Sequence, residues 1–283
     1  MGLDFGRGNS MKTSLAAGLH VMPGRAVDST AYDRWIGRWS RLFMPAVLAA
    51  AEVQPGRRVL DVSTGTGEAA LAILPIIGPS GLLIGADIAP AMLEGARGRL
   101  NELAFLPVAA DGQALPFTDG SFDAVVCQLG LQFFPNPGLG LMEFRRVLRN
   151  GGRVGVCVIS APDRAPMWGI LADVLGRLLP DQQSIVQLSF SLADPTHLED
   201  LLTSAGFRDI RVEHQKREGV IDSFDEYWEP IAAGTGSIPQ IYLRLPEPER
   251  DAVREEVRTR LEAFQSGERL CMSVEMLIAS GRA

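Results

Sequence analysis

Apolar residues in this chain follow two periods. Short aliphatic runs, apolar on both faces, recur as RVLDV from Arg58, GLLIGAD (Gly81–Asp87), FLPVAAD (Phe105–Asp111), FDAVVCQ (Phe122–Gln128) and RVGVCVIS (Arg153–Ser160). Between them lie segments of helical spacing: one after Gly67, then Pro90–Leu103 and Gly138–Leu148. Strands buried on both faces and separated by helices imply an α/β fold with a mainly parallel sheet covered on each side. RNGG, between Leu148 and Arg153, reads as a helix C-terminus followed by a turn.

The rhythm changes after Ala161. Trp168–Leu179 and Pro195–Ala205 read as added helices before a strand at Phe207–His214. A second insertion, about 223–267, holds a polar-faced helix at Glu247–Ala263. LCMSVEMLIASG (Leu270–Gly281) alternates and is predicted as an edge strand. Near the start, Tyr32, Trp35, Ile36, Trp39, Leu42 and Phe43 fall three and four apart in Ala31–Pro45, an amphipathic helix docked on the core. The expected organisation is an N-terminal arm with lid helices over 1–50 and a main domain over 51–283. Its insertions, at about 161–206 and 223–267, lie near the carboxyl ends of strands, where ligands bind in open sheets.

Composition narrows the partners. A chain of 283 residues with 46% hydrophobic content can fill a sizeable core, and its net charge of −7 disfavours nucleic acid. Cys127, Cys157 and Cys271 have neither metal-ligand nor disulfide spacing, so free thiols, no metal and a reducing cytoplasm are expected. The longest apolar stretch, Ala70–Ala86, is broken by Pro75, Gly78 and Pro79, so no stable membrane insertion is expected. Ser14–Met22 contains His20 and lacks a cleavage site, which argues against a signal peptide, and Met11 offers an alternative start to Met1.

The chemistry centres on RVLDVSTGTGE (Arg58–Glu68): a strand ending in Asp61, a loop of small residues, then a helix start. Gly65 and Gly67 let backbone N–H groups approach a ligand closely. Asp87 ends the next strand, where an acid can accept both hydroxyls of a ribose or cap the following helix.

Taken together, VLDVSTGTGE, GADIAPAMLEGAR, AADGQALPFTDGSFDAVVCQLGLQFF and LRNGGRVGV resemble the class I S-adenosylmethionine-dependent methyltransferases. The closest subgroup is the small-molecule branch that includes the ubiquinone and menaquinone C-methyltransferases. The resemblance is strong over Val59–Ile159. It implies a Rossmann-like, doubly wound, seven-stranded sheet, mostly parallel, with the last strand inserted antiparallel and helical lid insertions. It also implies S-adenosyl-L-methionine as cofactor and S-adenosyl-L-homocysteine as product. The charges agree, because Asp61 and Glu68 would repel a dinucleotide's pyrophosphate but suit an ammonium and a sulfonium.

By the same resemblance Asp87 binds the ribose, with Ile88 and Met92 flanking the adenine. Asp111 accepts from the adenine amino group, and Gly112 and Gln113 match the positions meeting the ring. Gln128 matches a position that contacts the methionine part. Ser63 replaces the usual first glycine of the loop and removes a position where positive φ is easy. Arg38 or Arg41, on the N-terminal helix, are candidates for the methionine carboxylate.

No catalytic residue is assigned. His20, His197 and His214 suit surface or capping roles, with His20 the one worth testing. No Asn/Asp-Pro-Pro-aromatic run grips a base amine after the fourth strand. Trp168, Ile170, Phe190, Tyr227, Trp228 and Ile231 suit a small aromatic or isoprenoid-like acceptor, and equally suit helix packing. Methylation at oxygen, nitrogen or carbon stays open, as does a homodimer. Two other readings stand beside the methyltransferase: a non-methylating S-adenosylmethionine binder (cyclase-like or regulatory) and a nicotinamide-dependent oxidoreductase.

Overall fold

The computed structural model describes residues 32–100 and 103–283. The alternative start, the Ser14–Met22 segment and His20 lie outside the described residues. A π-helical turn at Asp33–Gly37 runs into α1 (Arg38–Ala50), followed by β1 (Arg58–Val62), α2 (Glu68–Ile77), β2 (Leu82–Asp87) and α3 (Pro90–Leu100). Then come β3 (Phe105–Ala109), β4 (Phe122–Gln128), α4 (Pro137–Val147) and β5 (Leu148–Ile159). The first insertion holds α5 (Pro166–Leu178), a short α6 (Gln183–Val186) and α7 (Pro195–Ser204), and leads into β6 (Arg208–Ile221). The second holds α8 (Phe224–Ala232), α9 (Ser237–Tyr242) and α10 (Glu247–Leu261), and the two-residue β7 (Gln265–Ser266) turns into β8 (Arg269–Arg282).

The strand order is β3-β2-β1-β4-β5-β8-β6, with β7 paired to β8. β1 to β5 pair in parallel, and β8 runs antiparallel to both of its neighbours. The period of two sorts side chains to opposite faces. Val59, Ala124, Val126, Cys157 and Ile159 join one cluster with α1, α2, α5 and the second insertion. Leu60, Val62, Val125, Cys127, Val154 and Val156 join the other with α4 and α7. This is the doubly wound sheet expected of the resemblance. Among the described residues, no helix is long and apolar enough to cross a membrane.

Three sequence-based boundaries change. β8 is not an edge strand: it lies between β5 and β6, because Met276–Ala279 is apolar on both faces and buries both. β6 runs past His214 to Ile221, because an edge strand pairs one side only and carries charged residues that hide its period. RNGG is not a free turn: β5 begins at Leu148, and the register against β4 jumps from Phe122↔Leu148 to Ala124↔Arg153. Gly151, at φ +75°, takes up that irregularity and donates to the Ala283 carbonyl at 3.2 Å.

Helix α1 lies so close to β5 that a Cβ on Gly155 would stand 2.7 Å from the Val47 carbonyl oxygen. Backbone cannot give way as a side chain can. Gly155→Ala should therefore lower unfolding stability in urea by about 1–3 kcal/mol. Gly98→Ala, on an exposed turn of α3 with open space around it, should be neutral or stabilising by up to about 1 kcal/mol. Equal effects at the two positions would contradict the close approach of α1.

Candidate cofactor-binding site

The strand order reverses between β1 and β4, so their carboxyl ends open a crevice of the kind that holds ligands in α/β sheets. Ser63 leaves β1 at φ +59° and Leu129 leaves β4 at φ +56°, both in the left-handed region that disfavours side chains. The missing glycine of the loop therefore has not changed its conformation. Ser63 sits directly against Gly130, where any side chain would overlap it. The two exits thus pack against each other, Ser63 of one on Gly130 of the other.

The glycine loop is fastened to both acids. Thr64 Oγ1 donates to Asp61 Oδ2 at 2.6 Å, and Gly65 N–H donates to Asp87 Oδ2 at 2.8 Å. Asp87 Oδ1 also accepts from Ala89 N–H at 2.9 Å, so the helix-capping and loop-holding roles coexist in one carboxylate. Gly65 lies at φ +57° with open space where a Cβ would stand, whereas a Cβ on Gly67 would strike the Leu100 side chain.

Asp61 and Asp87 are 1% and 7% exposed. Burial raises both carboxyl pKa values, that of Asp61 to about 7, helped by the Asp87 charge and opposed by the Thr64 bond. Among the described residues no cation contributes to either shift. Tyr32 completes the group: burial and the nearby charges of Asp87 and Asp33 make its hydroxyl hard to ionise.

Glu68 does not add to this free negative charge. Arg41 and Arg99 neutralise it at 2.9 and 2.8 Å. Arg38 bonds Glu226 and the Val220 carbonyl, so both arginines named as candidates for a ligand carboxylate already pair with acids of this chain. The sequence reading missed Asp33, which accepts from Thr66 Oγ1 at 2.7 Å and pairs with Arg99 at 3.0 Å. It also missed Tyr32 beside Asp87, counting it only as part of an apolar face. An acid beside an aromatic at a helix start was a signal for both; none pointed to Arg99.

The other sequence candidates gather on the next two loops. Asp111 Oδ1 accepts from Gln113 N–H at 2.9 Å, the local turn that Asp-Gly favours. Gln113 Oε1 accepts from Asn136 N–H at 2.9 Å, and a side chain on Gly112 would overlap the Phe134 ring, so the loops after β3 and β4 are stapled together. Ile88 is half-buried, and Met92 is buried yet belongs to neither core cluster. Gln128 Nε2 donates to the Ser40 carbonyl at 2.8 Å, while its Oε1 is buried without a partner. His197 lies in α7 and His214 pairs with Glu275 at 2.9 Å, both outside this group.

These residues fit S-adenosylmethionine. Two buried carboxylates without a counter-ion among the described residues suit a ligand carrying an ammonium and a sulfonium, and would oppose a pyrophosphate. The open side of Gly65 is a cradle that any side chain would fill, and Gln128 Oε1 is an acceptor awaiting a donor. A groove of about 700 Å3 lies instead between α1 and α2, lined by Met44, Leu48, Leu71 and Ile76 together with Arg41, Glu68 and Arg99, and does not include Asp61, Gly65, Asp87 or Gln128.

Comparison with known proteins places the chain among methyltransferases. The model of the ubiE/COQ5 methyltransferase family matches residues 38–224. Demethylmenaquinone methyltransferase of Corynebacterium kroppenstedtii is 32% identical over 180 residues, covering 60% of this chain and 76% of that protein. The ubiquinone/menaquinone biosynthesis C-methyltransferase UbiE of Coxiella burnetii is 32% identical over 189 residues, covering 62% and 74%. In fold, the chain resembles phosphoethanolamine N-methyltransferase 2 of Haemonchus contortus, solved with S-adenosyl-L-methionine. The TM-score is 0.56 at 17% identity, over 89% of this chain and 56% of that one.

The Asp61 shift has a definite sign. Between about pH 4 and 7 the folded carboxyl keeps a proton that the unfolded chain has lost, so this group's contribution to stability falls as pH rises through that window. Asp61→Asn should therefore raise the melting temperature of the cofactor-free protein more at pH 8 than at pH 4.5. A gain independent of pH would show that Asp61 is not a buried, uncompensated acid.

Proposed function

The chain belongs to the ubiE/COQ5 methyltransferase family, and from that premise we propose that it methylates a small, largely apolar acceptor of quinol type. It is an S-adenosylmethionine-dependent enzyme. The relatives' names, demethylmenaquinone methyltransferase and C-methyltransferase, favour a ring carbon as the methylated atom. The observation that carries the reading is the pair of buried acids, Asp61 and Asp87, beside the open face of Gly65.

In this reading Asp87 receives the ribose hydroxyls on the lone pairs left by Gly65 and Ala89. Ile88 and Met92 flank the adenine, and Asp111, Gly112 and Gln113 meet its edge from the stapled loop. Asp61, acting through the loop from Ser63 to Gly67, and Gln128 Oε1 face the cationic amino-acid end. When bound, the cofactor supplies an electrophilic methyl group on a sulfonium. The chain's own work is to hold the acceptor carbon about 3 Å from that methyl, opposite the sulfur, and to keep water out.

The N-terminal helix and the two insertions form the lid that excludes water. Trp39 and Trp168 pack edge to face at 6.0 Å, Trp35 and Tyr227 at 5.2 Å, and Tyr227 bonds the Met167 carbonyl. A quinol needs little further activation, because its ring hydroxyl already feeds electron density to the adjacent carbon. A base is required only for the proton that leaves that carbon.

Calorimetric titration of S-adenosylhomocysteine tests the site. Asp87→Ala should weaken binding at least tenfold, about 1.4 kcal/mol. Offered prenylated naphthohydroquinones under reducing conditions, the wild type should form S-adenosylhomocysteine and a ring-methylated product identified by mass. Tight cofactor binding with no methylated product from any quinol or phenol would overturn the acceptor and favour a non-methylating role.

A further inference from the structure

Arg99 lies in the last turn of α3, and its guanidinium meets two acids from separate parts of the chain. Nη2 donates to Glu68 Oε2 at 2.8 Å. Nη1 stands 3.0 Å from Asp33 Oδ2, an ion pair rather than an aligned hydrogen bond. The side chains of Arg99, Asp33 and Glu68 are 25%, 22% and 11% exposed, so water and salt screen these contacts less than those of an exposed pair.

Both acids act on the glycine loop. Asp33 Oδ1 accepts from Thr66 Oγ1 at 2.7 Å, and Glu68 follows Gly67 and opens α2. Between these two points α3 touches the loop directly: a Cβ on Gly67, which lies at φ +82°, would stand 2.5 Å from Leu100 Cδ1. The last turn of α3 thus governs Thr66, Gly67 and Glu68. The first half of the loop is fastened elsewhere, Thr64 to Asp61 and Gly65 to Asp87. Gly65, with its open side, is therefore held between two anchors.

The second anchor depends on partners distant in sequence. Asp33 belongs to the π-helical turn ahead of α1, a rare geometry found often at functional sites. Rewound as an α-helix, that turn would carry Asp33 about 100° around the axis and off Thr66. Without Arg99, Asp33 would have no paired cation among the described residues, and Glu68 would keep only Arg41. Two acids would then face the same end of the loop.

We propose that Arg99 is a positioning residue for the cofactor: acting through Asp33 and Glu68, it fixes the second half of the glycine loop without touching the ligand. This rests on the cofactor seat proposed above and is independent of the acceptor. A loop released from this anchor must be ordered again on binding, which lowers affinity.

Arg99→Met keeps an unbranched side chain and removes its charge, and Thr66→Val keeps the shape of Thr66 and removes its bond to Asp33. Calorimetric titration of S-adenosylhomocysteine and S-adenosylmethionine compares both variants, the double variant and Asp87→Ala with wild type. Arg99→Met should weaken both ligands by about fivefold or more, and to the same extent. Thr66→Val should weaken them less, and the double variant no further than Arg99→Met, because one path carries both effects. Wild-type affinity in Arg99→Met overturns the inference, and a lower melting temperature would then assign the residue to stability alone. A shift of preference toward S-adenosylmethionine also overturns it, since that marks a lost positive field felt by the sulfonium. Fully additive losses overturn the path through Asp33. If Arg99→Met does not fold, Thr66→Val decides: weakened binding supports the inference and unchanged binding overturns it. Asp87→Ala without effect overturns the seat and the inference together, whereas an effect there with none in Arg99→Met overturns the inference alone.

Discussion

Two carboxylates buried side by side at the ends of β1 and β2, with no cation among the described residues to meet them, are the constraint on which this structure turns. Asp61 and Asp87 are kept where burial opposes their ionisation, and the strained loop between them is organised to tolerate it. Thr64 and Gly65 each spend a donor on one acid, which fixes the loop but does not neutralise the charge. A charge left uncompensated inside a folded domain costs stability unless a ligand brings the counter-charge. Among the described residues the charge is thus left unmet in the place where the sheet topology opens a crevice.

Helix α1 connects that centre to both insertions. Its leading turn holds the loop through Asp33 and Thr66, and its first residues hold α2 through Arg41 and Glu68. Ser40 receives Gln128 from the exit of β4. On the other side, Arg38 bonds Glu226 and Trp39 packs on Trp168, which brings both insertions to the same helix. The ion pair of Arg34 with Glu229 is exposed and contributes little, so coupling between loop and insertions rests on the aromatic contacts and the half-buried pair. A change at the glycine loop cannot leave the surfaces above the crevice unaffected, because one rigid element carries both.

How much of this the sequence disclosed follows from which interactions are local. β1, β2 and β4 were legible because strands covered on both faces must be continuously apolar, and the glycine loop because its backbone conformation restricts the residues it accepts. The outer half of β6 was not legible, since a solvated edge imposes no period. The interior position of β8 lay in the both-face apolarity of Met276–Ala279, a sign outweighed by the alternation earlier in that segment. At the site, strand-end acids could be read because position alone gives them a role. The pairings of Glu68, Arg38 and Arg41 were not legible for the opposite reason: each partner lies far along the chain.

The same distinction explains why the centre has both tight and loose parts. Ser63 and Leu129 are held at positive φ by contacts that reach across from β1 to β4, so the crevice floor is rigid at the cost of backbone strain. The polar atoms around it are left free: Asp87 retains lone pairs and Gln128 an unpaired oxygen. A floor that had relaxed its strain would lose the geometry needed to align a displacement on carbon, and walls that had paired their polar atoms internally would gain stability and lose recognition. Rigidity in the backbone and incompleteness in the side chains are therefore two requirements of one task, met by different residues at the ends of β1, β2 and β4.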